Sequence, residues 1–411
     1  MNSFFSQHKR FLLIGSFSLP CQGFESAQVL PPGISSVTMS QVSFSSHEKT
    51  NHIGEIELLG QSMAQPLPIK SFVRTQKGFD RTLLESFLIA NQYDLNDEIG
   101  FLSSLTKVRI NPTISIFSYG LTAKTSFAIV LPFYHVKTDT QIALSFHDNA
   151  RRLISQLSFP DNNQVTAARS AVTALNQPII EFNKLLKAHH YLPLEQWKHK
   201  GLGDIQFAVK HLLINSPIFR SSFTSGLVAP TGRTDDPNNL ADIPLGDGQW
   251  DLYGSISWDF LTNKSLFFNY TSKYTYQAPS RKTVRMKTSN NKIAVPNESV
   301  RWKLGDKFEN NLSIQYSSII SGIKAGLGTV FKGKFSDQYF IHHHDSRSEL
   351  EKDTSQRGLF TEAMIGYTTI SNYQDTSLKI PLSLTLKIQK HIQSKNTVIG
   401  DLSSLGVSFF F

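Results

Sequence analysis

The stretch WDLYGSISWDFL, Trp250 to Leu261, sets Trp250, Leu252, Ile256, Trp258 and Phe260 against Asp251, Tyr253, Ser255, Ser257 and Asp259. Successive side chains of a strand point to opposite faces, so this period of two predicts a strand with one apolar and one polar side. The next segment, SLFFNYTSKYTYQ (265–277), repeats it, with Leu266, Phe268, Tyr270, Tyr274 and Tyr276 opposed to Asn269, Thr271, Lys273, Thr275 and Gln277. KVRINPTISIF (107–117), FENNLSIQYS (308–317) and LKIPLSLTLKIQ (378–389) alternate likewise. In the first of these Val108, Ile110, Pro112, Ile114 and Ile116 share the apolar side, which places Lys107 and Arg109 on the polar one.

Strands of soluble proteins usually run about 5–6 residues, whereas these run about 11–14. Crossing a bilayer takes a strand of about 9–11, and the aromatics gather near strand ends, as interfacial girdles do. The chain has 411 residues, 40% of them hydrophobic, and after the first few dozen residues no apolar stretch is long enough for a spanning helix. Its formal charge is +9, but no long run of Lys and Arg marks a phosphate-tracking stripe, so no nucleic-acid partner is expected. The fold class that follows is all-β, a transmembrane antiparallel up-and-down barrel whose immediate partner is outer-membrane lipid.

Strands are expected near 36–45, 104–118, 123–137, 203–215, 217–230, 249–261, 265–277, 308–319, 323–335, 358–369, 377–390 and 398–411, about twelve within a range of ten to fourteen. An even count leaves both ends of the barrel chain on the periplasmic side. The connections then fall into short turns on that side and longer outer loops near 46–103, 138–202, 231–248, 278–307 and 336–357, the asymmetry of an outer-membrane barrel. Apolar residues spaced by three and four predict helical segments in two of these loops, at Leu83, Leu84, Phe87 and Leu88 and from Val172 through Leu175, Ile179, Phe182 and Leu185, with Pro178 as a break. Such helices either pack over the mouth or form a lid or capture site.

Ahead of the barrel, Lys9 and Arg10 precede the apolar run Phe11–Leu19, the pattern of an export signal over residues 1–23, cut after Gly23 or Ala27. Residues 24–411 form a single barrel domain in this reading. The one cysteine, Cys21, leaves with the signal, so no disulfide framework is expected.

The alternation also inventories the lumen. Lys107, Arg109, Lys210, Arg220, Lys273, Lys324, Lys332, Lys334, Lys379 and Lys387 are expected to point inward, against Asp204, Asp251, Asp259, Glu309 and Glu362. Ten cations to five anions predict a mild anion preference in an open pore, unless the charges pair across strands. The chain ends SSLGVSFFF, with Leu405, Val407, Phe409 and Phe411 alternating outward as a closing strand and as a signal for the barrel-assembly machinery. Phe410 points inward at the periplasmic rim. His344 and Ser346 have a spacing found in an outer-membrane phospholipase, and His342, His343, His344 and Asp345 could meet a metal; both sets read as solvated loop residues. Neither catalysis, nor a metal, nor a cofactor is expected.

KGLGDIQFAVKHLL (200–213), SGLVAPTGRTDDPNN (225–239) and PLGDGQWDLYGSISWDF (244–260) resemble outer-membrane proteins associated with phenol meta-pathway degradation, a group similar to the long-chain fatty-acid and toluene transporters. The shared pattern is Gly201 to Asp204, Pro230 to Gly232, and Gly246 with Gly248. The resemblance implies a passive channel for small hydrophobic or aromatic compounds or fatty acids, with a small hydrophobic ligand as partner. The alternative is a structural or surface-interaction barrel without transport. The fatty-acid transporters carry a plug of some forty residues before their first strand. Here a strand starts within about fifteen residues of the signal, so loops or inward side chains are expected to close the lumen.

Overall fold

The computed structural model describes residues 26–61, 65–69, 73, 79–148, 155, 178–262, 265–286, 296–318, 322–369 and 381–411. The expected signal over 1–23, the helical spacing at Val172 and Leu175, and Lys379 lie outside them. The chain begins with β1 (Ser35–Thr50), β2 (Ile56–Leu58), β3 (Gln65–Pro68), α1 (Phe79–Ala90), β4 (Glu98–Ile110), β5 (Thr113–Thr122) and β6 (Thr125–Phe146). It continues with α2 (Pro178–Ala188), β7 (Trp197–Leu202), β8 (Ile205–Asn215), β9 (Phe219–Ala229), β10 (Asp251–Leu261), β11 (Leu266–Gln277), β12 (Ser280–Arg285) and β13 (Asn297–Lys303). The remainder is β14 (Lys307–Ser317), β15 (Ile323–Lys334), β16 (Gln338–Phe340), α3 (His344–Glu351), β17 (Gln356–Thr368), β18 (Leu382–Lys395) and β19 (Val398–Phe410).

The wall is a closed antiparallel barrel of twelve strand positions in up-and-down order, with β4 and β5 stacked end to end in one position and β7 and β8 in another. Pro112 separates β4 from β5 because it has no N–H to give to a ladder, yet its carbonyl still accepts from Val42 at 2.9 Å. Closure runs through β1 and β19, in register from Ser36 opposite Phe410 to Lys49 opposite Val398, with one irregularity after Ser45. Among the described residues the spanning strands close into an unbroken ladder, as the hydrocarbon region requires.

Lipid-facing rows are apolar, as in Phe260, Phe268, Ile314, Leu327, Ile365, Leu386 and Leu405, all exposed. Aromatics mark both ends of this band, Trp250, Tyr274 and Tyr276 at the long-loop end and Tyr316, Tyr367, Phe409 and Phe411 at the short-turn end, the two girdles of an outer-membrane barrel. Inward rows on β1, β10, β11, β14 and β19 carry buried Ser, Thr, Asn and Gln, which bond across strands: Thr38 Oγ1 donates to Ser408 Oγ at 2.8 Å and Thr271 Oγ1 to Ser257 Oγ at 3.0 Å.

The helical spacing at Leu83–Leu88 lies in α1, and α2 starts at Pro178, where a fixed φ and a missing N–H suit the first helical turn. The outer loops hold more structure than their polar sequences suggested. β12, β13 and β16 form a separate three-stranded sheet whose core is Val284, Met286, Val300, Trp302, Leu304, Tyr339 and Leu350. His344 opens α3 and Ser346 is buried in it, so these two lie on a helix and not on a loop tip.

Candidate functional site in the barrel lumen

The two halves of the inner wall differ in chemistry. On the β1–β6 side Val42, Phe44, Val108, Ile110, Ile114, Ile116, Val130 and Val136 point inward and are buried together with Leu402. Lys107 and Arg109 alternate with Val108 and Ile110 and therefore stand on the outer face, exposed. This reverses the expected orientation of both residues. An apolar row marks the side that escapes water, and here it packs inside the barrel, against Ile243 and Leu245 of the connection between β9 and β10.

That connection, residues 231–248, folds into the barrel and buries Ala241 to Gly246. Three sequence motifs meet to hold it. Oδ1 of Asp204 accepts the Gly232 N–H at 2.9 Å and Oδ2 accepts the Asp247 N–H at 3.2 Å. Gly246 sits against this carboxylate where a Cβ would come within 2.4 Å of it, and a Cβ on Gly232 would meet the backbone of Leu245 and Gly246 at 2.7 Å. Gly248 turns the chain back into β10 with φ +75°, a region that favours glycine. Further out, Arg233 grips the buried Asp242 with both guanidinium nitrogens, Nη1 to Oδ2 at 2.8 Å, and lies over the Trp197 ring at 5.4 Å.

Beneath the loop is a cavity of about 170 Å³. Phe44, Tyr134, Leu245, Val398 and Leu402 line one side, and Asp204, Asp247, Asp251, Lys273, Lys307, Glu309 and Lys332, with Val228 among them, line the other. The charges are held in place by one another. Lys307 stands 4.0 Å from both Asp247 and Asp251, and Gln277 Nε2 donates to each of these at 3.1 Å. Lys332 lies 3.7 Å from Glu309, and Lys273 caps the Tyr253 ring at 4.2 Å.

Toward the periplasmic end the segment before β1 turns into the lumen. Ser26 Oγ and the Ala27 N–H both donate to Asp259 Oδ2, at 2.8 and 3.0 Å, Lys210 Nζ donates to the Ser26 carbonyl, and the Leu30 N–H reaches Ser126 Oγ at 2.8 Å. Side chains and loops were expected to close the barrel alone; this short segment also occupies it. It was missed because Leu30–Gly33 reads as the approach to a strand, although Pro31, Pro32 and Gly33 mark the turn that sends the chain inward.

Among the expected lumen residues, Asp204, Lys210, Arg220, Asp251, Asp259, Lys273, Glu309, Lys324, Lys332, Lys334, Glu362 and Lys387 are buried or half-buried and stand on the inward side of their strands. Several are paired: Arg220 with Asp259 at 3.4 Å, Lys387 with Glu362 at 2.7 Å, and Lys334 with Asp337. Asp247 and Lys307, central to the cavity, were missed because they precede the alternating runs. At the mouth Arg285 donates to the carbonyls of His189 and His190, at 3.1 and 2.8 Å, and to Asn238 at 2.6 Å, joining three outer segments over the lumen. Among the described residues no group of His, Cys, Asp and Glu is arranged to hold a metal.

Leu405, Phe409 and Phe411 are exposed on the outer face, while Ser404 and Ser408 are buried inside. Ser35 and Phe411 exchange both backbone hydrogen bonds, at 2.7 and 3.0 Å, so the last residue takes part in closure.

Among solved structures the chain is similar to an outer membrane channel from Pseudomonas putida F1, with a TM-score of 0.52 at 9% identity, over 95% of this chain and 100% of that one. Lower scores, 0.33 and 0.32, relate it to a Pseudomonas aeruginosa FadL homologue (9% identity, 98% and 96% covered) and to the Ralstonia pickettii toluene transporter TbuX (8% identity, 94% and 90% covered). The first of these shows a shared fold. Comparison with curated proteins gave no match. A family model matches residues 114–402, a span containing all three motifs around Asp204, and the chain belongs to that family, described as "Putative MetA-pathway of phenol degradation".

Proposed function

We propose that the chain is a passive outer-membrane channel for small hydrophobic or aromatic compounds, with fatty acids as the longer case. The cavity under the 231–248 loop carries this reading. It has an apolar wall of Phe44, Tyr134, Leu245 and Leu402 facing a wall of carboxylates and ammonium groups, and its volume is about 170 Å³. A cavity of roughly 150 Å³ holds benzene, so a phenol-sized molecule fits with its ring on the first wall and its hydroxyl toward the second. Membership of a family described by phenol degradation agrees with such a solute. No energy source is invoked, and flux follows the concentration gradient.

A second reading, a surface-interaction barrel, is favoured by the paired lumenal charges and by the ordered sheet at the mouth. Uptake into proteoliposomes of phenol, toluene, benzoate, decanoate and glucose separates the two. Channel function requires phenol and toluene to outpace glucose and Phe44→Glu to slow them. Absence of uptake of every solute by a folded barrel would abandon transport in favour of the surface role.

A further inference from the structure

Outward positions on three neighbouring wall positions carry cations at one level. Arg109 of β4 stands directly opposite Lys137 of β6, and Lys137 stands opposite Lys198 of β7. One outward step nearer the periplasm His135 pairs with Lys200, and one step further out Lys107 pairs with Asp139. Lys107, Arg109, Lys198 and Lys200 are exposed. The acid within this group, Asp139, lies 3.7 Å from Lys137 and also accepts from Gln196 at 3.3 Å; Glu195 is exposed further out.

Like charges placed directly opposite on one face of a sheet are destabilising, and Asp139 offsets only Lys137, so Arg109 and Lys198 leave the row with an excess of positive charge that favours an anion. Its height identifies the anion. A spanning strand takes about 9–11 residues; Thr125–His135 of β6 and Ile205–Asn215 of β8 supply that length, and the row lies just beyond both. Below it, one outward step past His135 and Lys200, Phe133 and Leu202 form an exposed apolar pair in register. The row therefore stands where acyl chains of the outer leaflet end and their headgroups begin.

We infer that this face binds a phosphorylated lipid of the outer leaflet, its phosphates held by Arg109, Lys137 and Lys198 and its acyl chains lying on Phe133 and Leu202. The lipid would brace the part of the wall whose inner side carries the apolar lining. This is independent of what passes through the lumen.

The test uses the full-length barrel in neutral detergent, mixed with diphosphorylated lipid A and examined by native mass spectrometry. A basic residue near a membrane surface contributes about 1 kcal/mol, or about fivefold in affinity. Lys198→Ser should thus weaken binding about fivefold, and Arg109→Ser with Lys137→Ser and Lys198→Ser together should abolish it. Lys352→Ser, on an exposed residue at the end of α3, should leave binding unchanged, and the charge-conserving set Arg109→Lys, Lys137→Arg and Lys198→Arg should retain it. Lipid A stripped of phosphate should bind no better to the native protein than intact lipid A binds to the triple variant. Undiminished binding by folded Lys198→Ser or triple-variant protein, equal binding of the dephosphorylated lipid, or displacement of lipid A by millimolar inorganic phosphate would each overturn the assignment.

Discussion

Gly246 lies so close to Asp204 that a Cβ on it would stand 2.4 Å from Oδ1 of that carboxylate, an atom that already accepts the Gly232 N–H at 2.9 Å. Gly246→Ala should therefore push the 231–248 loop away from the wall, at a cost of about 1–3 kcal/mol for overpacking. With the loop displaced, planar-bilayer recordings should show a higher single-channel conductance than the native chain. An unchanged conductance from a folded barrel would mean that this loop is not the constriction.

Lys387 and Glu362 form a buried pair at 2.7 Å, with Gln389 donating to the other carboxylate oxygen at 2.9 Å. Removing one partner strands a charge in the wall, so Lys387→Ala should destabilise the barrel by about 3–5 kcal/mol. Lys387→Met combined with Glu362→Leu should recover most of that loss, because the pair is non-additive. Thermal unfolding in detergent, followed by gel mobility, measures both.

Asp306, at the extracellular end between β13 and β14, titrates below the ordinary carboxylate range. Burial pushes it up, but the Gln277 N–H at 3.0 Å, the Tyr274 hydroxyl at 2.7 Å and Lys303 at 3.0 Å outweigh that. A depressed folded value means that its stabilisation is complete above the unfolded value near 3.9 and is lost as pH falls through the lower folded one. The native protein should lose stability on acidification below roughly pH 4, and Asp306→Asn should flatten that part of the profile. Identical acid limbs in the two proteins would show that Asp306 does not contribute.

Deleting Phe411 removes both backbone bonds to Ser35 at the periplasmic end of the seam and the exposed aromatic that follows β19. The truncated chain should insert poorly into the outer membrane, with less heat-modifiable barrel on gels. Normal yields would show that closure and assembly tolerate its loss.

The pore's ion preference follows from where its charges point. The expected anion bias drew on Lys107 and Arg109, which face outward, while Asp247 and Lys307 add one charge of each sign to the cavity and the other inward charges are largely paired. A reversal potential close to zero in a salt gradient is now the expected outcome; a strongly anion-selective pore would contradict the pairing of the remaining lumenal charges.

The strands were legible because alternation is a local property, and their length distinguished a membrane wall from a soluble sandwich. Which face of β4 and β5 looks inward was not, since Val108, Ile110, Ile114 and Ile116 would suit lipid equally well. Their orientation is decided by Ile243 and Leu245, which are remote in sequence and arrive only when the loop folds in. Asp204, Gly232 and Gly246 were each visible as motif residues, but their meeting is a product of register and loop geometry. The sheet at the mouth was hidden because its strands are short and polar; β12 and β13 are six and seven residues long, and their apolar partners lie in other segments.

The latch around Asp204 joins two side chains, the Asp204 carboxylate and the Thr231 hydroxyl, to backbone groups across gaps that only glycine leaves open. Saturation mutagenesis of the loop should therefore give an uneven map of tolerance. Positions 232 and 246 should be the least tolerant; Thr231, whose hydroxyl accepts the Ile205 N–H at 3.0 Å and donates to the Gly203 carbonyl at 2.7 Å, should accept little but Ser, whereas the exposed Thr234 should accept most residues. Selection for new solutes would then act on the cavity lining at Leu245, Tyr134 and Phe44, leaving the fastening itself untouched.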